Sequence, residues 1–277
     1  MVTKRQIRSG KVLKKKTQQK QKFPELLIQI VESSDIILEI LDARFIKETR
    51  NEEIEKLISK KKKQILYVLN KSDLINKDKI QKSILYNLRP HIFTSALKKH
   101  GGRELRNKIK MLAKNIEKGE KDERIAVGVM GYPNTGKSSI INVLVGKTSA
   151  KVGAKAGFTK GIQKLKLSKE IVLLDSPGVI PKNEYSTSDQ LKMSKNTMVG
   201  ARDYHKIKDP EIIVSQIIDK YKEAFEKHYK IKIDNSDDLI EGLGKKQNIL
   251  KKGGLVNTDQ VARKIIKDWQ EGKIRLQ

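Results

Sequence analysis

The chain has 277 residues, 37% hydrophobic and 34% charged, enough for one large or two modest domains with an adequate core. Sixty Lys and Arg against 33 Asp and Glu give a formal net charge of +27, which points to a polyanionic partner. The absence of Cys excludes disulfides and thiolate metal sites, His91, His100, His205 and His228 lack metal-ligand spacing, and no apolar run approaches the roughly 20 residues of a membrane span.

The first 22 residues carry nine Lys/Arg and no acidic residue, and no apolar stretch follows as in a secretory signal. They are expected to form a flexible basic tail that orders on a polyanion, or an idle solubilising one. Base composition or heat adaptation would spread Lys evenly, whereas this cluster is local. Phe23-Pro24 opens a helix with Leu26, Leu27, Ile30 and Val31 on one face. IILEIL (36–41) reads as a strand ending at Asp42-Ala43-Arg44. Residues 49–63 read as an amphipathic helix with Ile54, Leu57 and Ile58 inward. ILYVL (65–69) is a buried strand that runs into Asn70-Lys71-Ser72-Asp73.

Asn-Lys-x-Asp at the carboxyl end of a strand lies where α/β sheets place ligand contacts. Asp73 can accept from the N1–H and exocyclic amine of guanine, two donors that adenine lacks at those positions, so a buried carboxylate discriminates strongly. Asn70 can tie loops together and reach the base edge, and Lys71 can lie over the base plane. By itself the tetrapeptide is equally an ordinary polar turn. A helix at 77–87 follows, then a strand from 91 leading into Ser95-Ala96-Leu97-Lys98, where the Ala96 N–H can meet guanine O6. A helix from Gly101-Gly102 to about 118 leads through a charged linker to IAVGVM (125–130), a buried strand.

Gly131-Tyr-Pro-Asn-Thr-Gly-Lys-Ser-Ser139 fits G-x-x-x-x-G-K-[ST] and is followed by helical spacing over 138–145. In such a strand–loop–helix, backbone N–H groups around Asn134, Thr135, Gly136 and Ser139 cradle phosphates at a helix N-terminus. Lys137 reaches the β- and γ-phosphates and Ser138 ligates Mg²⁺. The Gly- and Lys-rich stretch 146–161 reads as a loop, with Thr159 the candidate second Mg²⁺ ligand and γ-phosphate sensor. Two strands joined near Ser168-Lys169 end at Asp175-Ser176-Pro177-Gly178. Asp175 can hold Mg²⁺ through water, and the Gly178 N–H can contact the γ-phosphate, a bond that hydrolysis would cut.

Residues 181–200 are polar and are expected to contain a mobile connector. Helical spacing returns at 211–229, with Ile212, Ile213, Ile217, Tyr221 and Phe225 inward, at 236–246 with Ser236 as cap, and at 257–270 with Asn257 or Thr258 as cap. Over 181–277 there are 20 Lys/Arg and 15 Asp/Glu, so the charge excess lies elsewhere. Lys245, Lys246, Lys251 and Lys252 flank a Gly-containing loop that either meets RNA backbone or is merely solvated. Trp269 is expected in a core.

Each motif is soft, but the conjunction of five at strand ends resembles a GTPase domain. Their order is recut, with the base-reading motifs (70–73, 95–98) ahead of the phosphate motifs (131–178). This order resembles the circularly permuted GTPases of ribosome assembly, the YlqF/RbgA-like family, over residues 25–277. Asp42, Arg44, Arg50 and Asn51 fit its D-A-R…R-N element. AGFTKGIQ (156–163) is similar to its P-G-x-T-x…Q switch, with Ala156 for Pro, and DSPGVIP (175–181) fits D-x-P-G-h-x-x-P. Gly253-Gly254, Asp259, Ala262, Asp268 and Gly272-Lys273 match its ending. Phe23-Pro24 stands where bacterial members carry a His-containing element, so the chain resembles archaeal or eukaryotic-type relatives. Val179 stands where Ras-type enzymes place a water-orienting Gln, and Asn134 is either a K⁺-binding residue beside the phosphates or simply a good turn residue.

The resemblance implies an α/β fold, a circularly permuted P-loop domain with a mostly parallel six-stranded sheet flanked by helices. The expected division is a tail at 1–22, the GTPase domain at 23–180 and a small all-helical RNA- or ribosome-binding domain at 181–277. It implies a monomeric, cytoplasmic, Mg²⁺-dependent GTPase on the large ribosomal subunit and its rRNA, with Lys137, Thr159, Gly178 and Asn134 serving hydrolysis. The rivals are an RNA-binding or chaperoning protein with a vestigial nucleotide site, against which the intact Lys137, Ser138, Thr159 and Asp175 argue, and a GTPase acting on another RNA.

Overall fold

The computed structural model describes residues 25–117, 124–146, 162–176 and 190–276. A helix α1 (25–33) precedes strand β1 (Ile36–Asp42), followed by α2 (Ile46–Thr49), α3 (Glu52–Lys60), β2 (Gln64–Asn70), α4 (Lys82–Tyr86), β3 (His91–Phe93) and α5 (Gly102–Lys114). Then come β4 (Ile125–Gly131), α6 (Lys137–Val145), β5 (Gln163–Lys166) and β6 (Ile171–Asp175). The six strands form one sheet in the order β3-β2-β1-β4-β6-β5, and only β5 runs antiparallel.

Two helical layers bury the sheet, which is why β1 carries apolar side chains on both faces. Ile36, Leu38 and Ile40 pack with Leu105 and Ile109 of α5 and with Ile140 and Leu144 of α6. Ile37 faces the other way, onto Leu27, Ile30 and Val31 of α1 and Ile58 of α3. The register aligns the strand ends, pairing Asp42 with Asn70, Ile40 with Gly131 and Val129 with Asp175. The described motif residues therefore emerge along one edge of the sheet, at the carboxyl ends of the parallel strands.

The second region contains α7 (Gln190–Met198), α8 (Pro210–Tyr229), α9 (Ser236–Lys246) and α10 (Thr258–Gln270). Its core is aromatic. Trp269 is fully buried, its ring stacked on Phe225 at 5.3 Å and set against Tyr221 at 5.0 Å. Phe45 and Tyr132, contributed by the sheet region, are buried in this same cluster. The two regions thus share one core, and Trp269 lies where the sequence reading expects it.

Several local readings are corrected. The helix expected over 49–63 is broken at Arg50-Asn51. Asn51 caps α3 by accepting from the Ile54 N–H at 3.2 Å, and its own N–H donates to the buried carboxyl of Glu39 at 2.9 Å. Burial, reinforced by Glu55, holds that carboxyl well above the usual range. The helix expected at 77–87 is a 3₁₀ turn (Lys77–Lys79) and the short α4. Helix α7, which the sequence reading did not name, occupies 190–198, and its Asn196 and Thr197 are buried. In α8 Ile213, Ile217 and Phe225 are buried as expected, Val214, Ile218 and Tyr229 are buried as well, and Ile212 is exposed. The cap of α9 is Asn235 rather than Ser236, in a reciprocal capping box with Asp238. No helix among the described residues is long and apolar enough to cross a membrane.

Candidate functional site

The phosphate loop follows β4 directly. Gly136 has φ +96°, and a Cβ there would lie 2.2 Å from Asn70 Nδ2, so both conformation and space call for glycine. Thr135 Oγ1 donates to the Tyr132 carbonyl at 2.9 Å and rigidifies the turn. Lys137, in the first turn of α6, folds its ammonium back to donate to the carbonyls of Gly131 (3.1 Å) and Tyr132 (2.9 Å). Burial pushes its pKa down to about 8 against the opposing pull of Asp175. Burial likewise pushes the Asp175 carboxyl up to about 6, against the pull of Lys137. Asp175 Oδ1 is buried without a hydrogen-bond partner among the described residues. Ser138 and Ser139 are half-buried on the same first turn.

The base-reading side is held by side chains. Asn70 Nδ2 donates to the Thr135 carbonyl at 2.8 Å, and its Oδ1 accepts from the Ala96 N–H at 3.1 Å and the Thr94 hydroxyl at 3.4 Å. One amide therefore fastens the Asn-Lys-x-Asp loop, the Ser-Ala-x-Lys loop and the phosphate loop together. The Ala96 N–H, read from sequence as a donor to guanine O6, is directed here at Asn70. Lys71 adopts φ +62°, and its ammonium sits 2.8 Å from Asp42 Oδ2. Arg44 clasps the same carboxylate through Nε (3.0 Å) and its terminal nitrogen (2.8 Å), and also donates to the Trp269 carbonyl at 2.8 Å. Burial alone would raise the Asp42 pKa, but Arg44 and Lys71 outweigh it and hold the carboxyl well below the usual range. Burial lowers the Lys71 pKa despite Asp42. Ser95 Oγ accepts from the Lys98 N–H at 3.1 Å, and Leu97 is exposed at the rim.

A cleft of about 360 Å³ lies between these loops. Asn70, Lys71 and Asp73 line it on one side, Ser95, Ala96 and Leu97 on another, and Asn134, Gly136 and Ser139 on a third. Asn134 has φ +60° and donates from Nδ2 to the Gly200 carbonyl at 2.6 Å, joining the phosphate loop to the helical region. Thr159 and Gly178 lie outside the described residues, as do Val179 and the tail at 1–22. Sequence reasoning missed the fourth wall, which comes from α10 and the turn after it. The family's ending marks Gly272 but not its place at the cleft, because only the tertiary packing carries it there.

A parallel sheet with a phosphate loop after a central strand, and base-reading loops on the strands preceding it in the chain, defines a circularly permuted GTPase domain. Residues 126–250 match the family described as 50S ribosome-binding GTPase. The match begins at the phosphate-loop strand and leaves out the base-reading loops, which here come earlier in the chain. The chain is 38% identical over 255 residues to an uncharacterized GTP-binding protein of Methanocaldococcus jannaschii, covering 90% of this chain and 65% of that protein. It is 33% identical to nucleolar GTP-binding protein 2 of Neurospora crassa, covering 90% of this chain and 40% of that one. The chain thus spans between two fifths and two thirds of these relatives. YlqF from T. maritima shares the fold, with a TM-score of 0.62 for its GDP-bound structure at 23% identity, covering 90% of this chain and 95% of that one. The chain thus carries a GTPase domain with the circularly permuted fold of YlqF.

Proposed function

We propose that the protein binds GTP and GDP in the cleft between its base-reading and phosphate loops, hydrolyses GTP, and uses this cycle to bind and leave the large ribosomal subunit. The observation that supports this best is the Asn70 amide, which ties all three loops around one cavity of nucleotide dimensions. In this reading Asp73 takes the guanine N1–H and amine, and the Lys71 stem covers the base. The backbone around Asn134–Ser139 and the Lys137 ammonium take the phosphates.

The buried, unpartnered Oδ1 of Asp175 suits a hydrated Mg²⁺, and Ser138 with Thr159 would complete the protein's share of its ligands. Mg²⁺, when bound, supplies positive charge between the β- and γ-phosphates. Among the described residues no cluster of His, Asp and Glu could hold a metal without such phosphates. Bound triphosphate would also draw the Lys137 ammonium off the loop carbonyls. Water then attacks the γ-phosphorus, the bond to the β-bridging oxygen breaks, and GDP and phosphate leave. In this reading Asn134, whose amide nitrogen donates to the Gly200 carbonyl, stands beside the phosphates where a K⁺ ion would bind. Thr159 and Gly178 would sense the γ-phosphate.

The net charge of +27, the basic tail and the exposed Lys251 and Lys252 support rRNA as partner, in a monomeric cytoplasmic factor. Lys245 and Lys246 are partly engaged, with Glu241 and the Tyr229 carbonyl. The test is co-sedimentation with large ribosomal subunits after loading with GDP or a non-hydrolysable GTP analogue, alongside GTP turnover with and without Mg²⁺ and with K⁺ or Na⁺. Binding with the analogue alone, and turnover that needs Mg²⁺, are expected. Equal sedimentation in both states would remove the nucleotide switch, and binding of ADP as tightly as GDP would remove the base reading.

A further inference from the structure

The fourth wall of the cleft is made by Tyr204, Lys267, Gln270, Glu271 and Gly272, all from the helical region. This wall is fixed from both sides. On the helical side, Gln270 Nε2 donates to the carbonyls of Thr197 (2.8 Å) and Arg202 (3.0 Å), and Trp269 Nε1 to that of Met198 (3.0 Å). On the sheet side, the Trp269 carbonyl accepts from Arg44, and the Leu276 N–H donates to the Leu74 carbonyl at 2.9 Å. Gly272, at φ +74°, packs so closely on Leu74 that a Cβ would come within 2.6 Å of its Cδ1. Leu74 is next to Asp73, so the end of α10 is seated on the base-reading loop itself.

We propose that this turn is part of the nucleotide site and that Glu271 accepts hydrogen bonds from the ribose hydroxyls of a bound guanine nucleotide. The inference rests on the reading above, with the base at Asp73 and the phosphates at Gly136–Ser139. Between those two ends of the cleft lies the sugar, and Glu271 is the acidic residue of the facing wall. A ribose diol offers two donors, and a carboxylate offers about four acceptor sites. Glu271 uses one oxygen on Lys273 at 2.9 Å, and Lys267 lies 3.9 Å from the other. These lysines offset the carboxylate's charge beside an anionic ligand, and acceptor sites remain for the sugar. Carboxylate-to-ribose hydrogen bonding is the same chemistry that dinucleotide folds use. The consequence is direct: the helical region touches the nucleotide itself, whichever phosphates are present.

The test is calorimetric binding of GDP and of 2′,3′-dideoxy-GDP to the full chain and to its Glu271→Ala and Glu271→Gln variants, with folding checked by thermal unfolding. The wild type should prefer GDP over the dideoxy analogue by about tenfold, in line with a charge-assisted hydrogen bond at a partly exposed site. Glu271→Ala should lose that preference by weakening GDP alone, and Glu271→Gln should restore part of it. Equal weakening of both ligands, or no weakening of GDP, would overturn the ribose contact while leaving guanine binding intact. If the wild type binds neither ligand, the nucleotide reading itself fails, and the ribose contact with it.

Discussion

The two sides of the cleft are built on opposite plans. On the base-reading side the polar groups find partners within the protein: Asp42 holds Arg44 and Lys71, and Asn70 spends both ends of its amide on neighbouring loops. On the phosphate side, among the described residues, Asp175 keeps a buried oxygen without a partner and Lys137 donates to loop carbonyls. The first side is shaped before any ligand arrives. The second holds desolvated charge that phosphate and a cation would compensate in the proposed nucleotide complex. Preorganisation and stored electrostatic cost are thus assigned to different strands of one sheet.

Asp42→Asn should cause the largest loss, about 3–5 kcal/mol of unfolding free energy by urea titration, because the buried Arg44 and the half-buried Lys71 lose their shared anion. A loss under 1 kcal/mol would break the contrast. The same carboxylate makes the wild type acid-sensitive. Its folded pKa lies below the ordinary 3.8, so its contribution is present above that pH and fades as pH falls through the folded value.

Asp175→Asn should act with the opposite sign. The wild-type carboxyl titrates near 6 when folded against 3.8 when free, so the folded state holds its proton longer and the wild type loses stability as pH rises from 3.8 through about 6. Nucleotide-free Asp175→Asn should therefore gain on the wild type across that window, by up to about 3 kcal/mol above it, while its Mg²⁺-dependent GTP binding weakens. Thermal melts at pH 4 and pH 7 check this, and a variant less stable at pH 7 would contradict it. Lys137 adds a second signature. Its folded pKa of about 8 lies below 10.5, so the empty protein should gain stability as pH rises between those values.

Asn70→Ala should cost about 2 kcal/mol, from the unpaired Ala96 N–H and Thr135 carbonyl, and should lower the preference for GDP over ADP in competition binding. Gly272→Ala should cost about 1 kcal/mol through its left-handed backbone and the crowding at Leu74. It should weaken GDP binding modestly, measured as a change in Kd.

The sheet was legible because its signals are local. Short β-branched runs end in Asn70, Asp175 and the phosphate loop, and each motif announces the strand before it. The breaks were harder. Asn51 carries its own cap signal, followed by Glu52 and Glu53, yet the apolar spacing of Ile54, Leu57 and Ile58 suggested a longer helix. Asn235 and Ser236 are both good caps, and the pairing of Asn235 with Asp238 three residues on decides between them. Helix α7 buries Asn196 and Thr197, polar residues that hydropathy cannot flag. The α10 wall was invisible for another reason. Lys267, Gln270 and Glu271 look like an ordinary solvated helix face, and only the packing of Trp269 and Gly272 turns that face to the cleft.

Phe45 and Tyr132 sit inside the aromatic cluster around Trp269 although they belong to the sheet region. A chimera that transplants the helical region onto another GTPase would therefore carry two ring-sized holes with it. It would also leave behind, on the donor, two large aromatic side chains stripped of their cover. Modular exchange of this region among related proteins is workable only if the residues at both of those positions travel as part of the cassette.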